Sequence, residues 1–132
     1  MFLINFPLML VPFAVYNFFI FGQDPNLWDR PAFQLQMMSG VTFVLELGQC
    51  LIVVGLLLLF VEIIKATRHG ASSIIDHLLS TLVLIAFVVE FLLVGRAATA
   101  TFFILMTMTF VDVIAGYSVS IRNSSRDLTI ES

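Results

Sequence analysis

Residues 41–64, VTFVLELGQCLIVVGLLLLFVEII, decide how this chain must be read. At about 1.5 Å per residue a helix over them crosses a hydrocarbon core of about 30 Å. The stretch carries a carboxylate, Glu46, six residues in. Three more long apolar stretches surround it, at about 3–22, 74–94 and 100–121. Two of those also carry an acid, Glu90 and Asp112. An acid at the centre of a spanning helix costs about 2.5–3.5 kcal/mol on insertion scales. Each Leu, Ile or Phe returns only about 0.3–0.6 kcal/mol. Such residues persist where structure or function requires them.

Composition points to the same solvent. The chain has 132 residues, 60% of them hydrophobic and 11% charged, with a mean hydropathy of +1.06. Soluble domains carry about a quarter charged residues, and a fold this short has too few polar side chains to cover its apolar surface in water. The six basic residues form no stripe suited to nucleic acid. The single Cys50 lies inside an apolar run, which excludes an intrachain disulfide and most cysteine-based metal sites. The fold class expected is therefore all-α, a polytopic four-transmembrane-helix bundle forming one domain.

The first span, 3–22, is rich in Phe and holds Pro7 and Pro12. Pro7 fits a first turn, whereas Pro12 is expected within the helix as a bend. Residues 2–23 carry no charge and no A-x-A site follows, so a retained helix rather than a signal peptide is expected. In the next link, residues 23–31, Trp28 reads as an interfacial anchor and Asp29 with Pro31 as a helix start. Residues 32–40 mix Phe33, Leu35, Met37 and Met38 with Gln34, Gln36 and Ser39, and read as a short amphipathic segment at the interface. Residues 65–73 form the second link, with Ser72 or Ser73 capping span three. A tight turn at 95–99 precedes span four, and residues 122–132 are expected to be a frayed polar tail.

Four spans put both termini on one side. With that side cytoplasmic it holds Lys65, Arg68, Arg122 and Arg126 against Arg30 and Arg96 outside, which satisfies the positive-inside rule. The expected location is a plasma membrane of the bacterial inner-membrane kind. Depths follow from this topology. Glu46 and Glu90 come out at one outer level with Arg96 in snorkelling reach, and Asp112 lies deeper without an obvious cation. Thr42, Glu46, Gln49 and Cys50 share one face of span two. Thr101, Thr109, Asp112 and Gly116 share a face of span four, small enough for close helix packing.

Two functions fit these residues. One is association, with the chain serving as an accessory or scaffold subunit of a membrane complex or as a homo-oligomer, and Glu46, Glu90 and Arg96 forming an ion-pair cluster. The other is a small oligomeric channel or ion- or proton-coupled transporter, with Glu46, Gln49, Glu90, Asp112 and His77 on the path. The lipid bilayer is the one partner both require, and neither implies a cofactor. Catalysis and metal binding find no support in the pattern. His69 and His77 lack ligand spacing, Ser72, Ser73, Asp76 and His77 read more simply as a helix start, and the methionines form no copper ladder. Glu62, Lys65 and Arg68 read as interfacial charge balance.

Overall fold

A computed structural model of the chain describes residues 7–22, 26–66 and 71–131, with side chains over 7–22, 26–66 and 74–119. Asn5, Asp24, Pro25, Arg68 and His69, and the side chains of Ser72, Ser73, Arg122 and Arg126, lie outside those residues. Four α-helices occur among the described residues: α1 (Leu10–Gly22), α2 (Leu47–Lys65), α3 (Ala71–Leu93) and α4 (Ala100–Glu131). A two-stranded antiparallel sheet, β1 (Pro31–Gln36) and β2 (Thr42–Glu46), stands between α1 and α2. Three helical segments, Leu47–Lys65, Ile74–Leu93 and Ala100–Val119, are long and apolar enough to cross a membrane. The fourth helix, α1, has 13 residues, about 20 Å.

Several local expectations change. Because α1 begins at Leu10, Pro12 falls in its first turn, where a backbone N–H has no helical partner to lose. Pro12 is buried rather than a source of a bend. Residues 31–46 form a hairpin, not a helical approach to span two. Phe33, Leu35 and Met37 alternate with Gln34 and Gln36, a period of two, and Val41-Thr42-Phe43-Val44 is rich in β-branched and aromatic residues. Gly40 takes φ +92° in the turn, where a side chain would be strained. Span two accordingly starts at Leu47 rather than Val41. The backbone of α3 is helical from Ala71, so Ser72 and Ser73 lie within its first turn instead of capping it. The backbone of α4 continues as helix through the polar tail to Glu131, and residues 122–131 contain neither Gly nor Pro that would break it.

Helix α4 packs against both α2 and α3. Its buried stripe includes Phe102, Leu105, Met108, Thr109, Asp112 and Val113. That of α2 is Gly48, Leu51, Gly55, Leu59 and Glu62, the three- and four-residue spacing of one helical face. The opposite faces stay apolar and exposed, with Leu56, Leu57 and Phe60 on α2 and Leu78, Leu82 and Leu92 on α3. Charged side chains inside and aliphatic ones outside invert the arrangement of a water-soluble domain.

At the end nearest the hairpin, aromatic rings fill the core. Tyr16 stacks on Trp28 with centroids 5.5 Å apart, and Phe19 meets Trp28 edge-on. The Tyr16 hydroxyl bonds Thr99 Oγ1 at 2.6 Å. Trp28 is therefore buried against α1, and anchors the link to the bundle instead of presenting its ring to an interface. Its carbonyl comes so close to Gly48 that a Cβ there would lie 3.0 Å from it and 2.9 Å from Thr101 Oγ1. Rotating Thr101 gives no relief, since its Cγ2 is also near, at 3.3 Å. Gly48→Ala should therefore lower the melting temperature in detergent, at a net cost of up to about 2 kcal/mol after the gain in helix propensity. Gly22→Ala, with nothing within 4 Å of the new methyl, should not. Equal melting temperatures for the two variants would refute the close α2–α4 approach.

Candidate functional site

Where α2 ends and α3 begins, the bundle buries a set of charges. Glu62 contributes from α2 at 3% exposure, Asp76 from α3 at 2% and Asp112 from α4 at 4%, with His77 and Ser80 buried beside them on α3. Lys65, in the last turn of α2, places its Nζ 2.8 Å from Glu62 Oε1 and 3.7 Å from Asp76 Oδ1. Glu62 Oε1 also accepts the backbone N–H of Leu8 at 2.9 Å. The approach to α1 is thus tied to the far end of α2, and one of the N–H groups left over before a helix is satisfied. Asp112 lies within hydrogen-bonding reach of Glu62 and feels the charges of Asp76 and Lys65.

The His77 ring lies over α4. A Cβ on Gly116 would meet its Cε1 at 2.9 Å and its Nδ1 at 3.0 Å, so only glycine leaves room for the imidazole. Tyr117 closes the same side, its ring centroid 5.2 Å from that of His77. Thr81 Oγ1 donates to the His77 carbonyl at 2.9 Å and is 3.2 Å from the Tyr117 hydroxyl. With the Thr81 proton already used, the Tyr117 hydroxyl is the donor to Thr81. Among the described residues no three His, Cys, Asp or Glu side chains are placed to hold one metal ion. The arrangement is suited to holding and passing protons or balancing buried charge.

The expected site residues divide between the two ends of the bundle. Asp112 and His77 belong to this cluster, and Thr109 and Gly116 share the buried face of α4 with Asp112. Glu46 and Gln49 do not. Glu46 is the N-cap of α2, its backbone N–H bonded to Gln49 Oε1 at 2.9 Å and its side chain accepting the N–H of Gln49, a reciprocal capping box. Glu90 bonds the Asn17 side chain of α1. Arg96 donates from Nη1 to the Ile20 carbonyl at 3.1 Å, a cation at the C-terminal end of α1. Among the described residues, Glu46, Glu90 and Arg96 form no common ion-pair cluster, because the hairpin holds Glu46 outside the helix and α1 takes the other two. Asp112 in turn does have a cation in its surroundings, Lys65.

In sequence alone, Glu62 and Lys65 read as interfacial charge balance and Asp76 as part of a helix start, and none of them was brought together with Asp112. The signal was present in the topology: residues about equally far from the link between two antiparallel helices share a level, and Glu62 and Asp76 stand in that relation across residues 66–70. The sequence matches no family model, no curated protein and no solved structure in comparisons with known proteins.

Removing one member of a buried ion pair leaves the others uncompensated. Lys65→Met should therefore destabilise the protein by about 3–5 kcal/mol. Arg96→Ala, which loses one bond to a helix end on an exposed side chain, should cost about 1 kcal/mol or less. Unfolding in a mild detergent compares them, and a Lys65 effect no larger than that of Arg96 would contradict the closed cluster.

Proposed function

We propose that this chain is an integral membrane protein whose four helices all cross the bilayer, with both termini cytoplasmic. It acts without catalysis, by associating with other membrane chains, as an accessory or scaffold subunit or as a homo-oligomer. The observation that carries this reading is the hairpin. Every residue from 31 to 44 is exposed and none is charged, and Phe33, Leu35, Val41 and Phe43 are among the large apolar side chains left uncovered. A two-stranded sheet is marginal by itself, and its open edges offer unpaired N–H and C=O groups to another strand. Natural edge strands that stay unpaired in water are usually guarded by charge or proline, and between Ala32 and Val44 this hairpin has neither.

The buried cluster of Glu62, Lys65, Asp76, His77 and Asp112 favours a second reading, an oligomeric ion- or proton-coupled path. Measuring the mass of the complex released by gentle solubilisation decides for or against association. Assemblies heavier than one 14.8 kDa chain are expected. Leu35→Lys with Phe43→Lys should shift them toward the single chain while helical content stays intact. A single chain under all lipid-preserving conditions would exclude association. Proton or cation flux in liposomes, abolished by Asp112→Asn in normally assembled protein, would instead establish the transport reading.

A further inference from the structure

We infer that Glu62 and Asp112 form a proton-binding site, one proton being shared between the two carboxyl groups and tying α2 to α4. Asp112 is 4% exposed, and no hydrogen-bond donor reaches its Oδ2 among the described residues. Its carboxyl instead faces that of Glu62 within hydrogen-bonding reach. Carboxylates are acceptors only, so two of them hydrogen-bond to each other when one carries a proton. With that proton in place, the Asp112 carboxyl gains a hydrogen-bond partner and the buried carboxyls lose one negative charge.

The other groups around the pair are committed elsewhere. Lys65 on α2 is in contact with Glu62 and Asp76, so its ammonium is already shared by two carboxylates. Asp76 on α3 adds negative charge. His77, also on α3, packs over Gly116, one turn beyond Asp112. The Leu8 N–H occupies Glu62 Oε1, the oxygen that Lys65 also holds. A proton is the cation that fits between two side chains already in hydrogen-bonding reach, since it requires no third ligand. Lys65, with 11% of its side chain exposed, is the least buried of the charged groups in the cluster. Loss of the proton sets two carboxylates against each other across the α2–α4 contact, so occupancy of the site decides how firmly these helices hold together. The inference stands whether the chain acts by association or by transport.

Infrared spectroscopy of the full-length protein in lipid at neutral pH tests it. A carbonyl stretch of a protonated carboxyl group should be present, move on transfer to deuterium oxide, and be lost in both Glu62→Gln and Asp112→Asn. It should survive in Glu90→Gln. Labelling aspartate or glutamate separately with carbon-13 in the unmutated protein should shift that band, which keeps the assignment testable even if a variant fails to fold. Absence of a protonated-carboxyl band, or a band unaffected by either substitution or either label, would overturn the site. Bleaching of the band by sodium at constant pH would show a metal cation in place of the proton and overturn it equally.

Discussion

The ammonium of Lys65, held between Glu62 and Asp76, is the contact on which the closed end of this bundle depends. It joins the last turn of α2 to the start of α3. The same Glu62 oxygen receives the Leu8 N–H ahead of α1, and the Glu62 carboxyl reaches Asp112 on α4. Every helix is thus referred to one small region. A cluster of this kind is weak evidence for stability, because desolvating charges costs about as much as pairing them returns. It specifies arrangement instead. Apolar side chains alone would allow the helices to slide past one another, whereas buried charges have only one register in which all find partners.

The two ends of the bundle solve the problem of polar groups in a dry setting differently. At the hairpin end, aromatic rings do the filling, and the Tyr16 hydroxyl is met by Thr99 while the Trp28 indole N–H is buried without a hydrogen-bond partner among the described residues. At the other end, several carboxyl groups gather around the one ammonium of Lys65. Each end also uses a glycine: Gly48 admits the Trp28 carbonyl and Thr101, and Gly116 admits the His77 imidazole, where a side chain would leave no room. Small residues at helix contacts serve this purpose in membranes, where lipid tails are as apolar as the core and association rests on fit and hydrogen bonding.

Much of this architecture was legible in the residues. Runs of Leu, Val and Ile around residues 51–61, 82–89 and 102–114 announce the long helices, and Thr109, Asp112 and Gly116 mark the buried face of α4. The hairpin was legible too, but only from the alternation of Phe33, Leu35 and Met37 with glutamines, a short pattern easily read as one face of a helix. That misreading moved the start of α2 by six residues and turned Glu46, a cap, into an apparent intramembrane acid. The cluster around Lys65 escaped for another reason. Charges near a helix end look like ordinary interfacial residues until the partner helix is in place, and only the fold shows that Asp112 descends far enough to meet them.

The junction between β2 and α2 has a mechanical consequence. Glu46 ends the strand, Leu47 begins the helix, and no flexible residue separates them. The Leu47 N–H is bonded to the Arg30 carbonyl at 2.8 Å, so the base of the hairpin and the head of the helix are one stiff joint. The direction in which the hairpin leaves is thereby fixed relative to α2, a shaft of 19 residues. At the far end of that shaft, 16 residues along, sits Glu62.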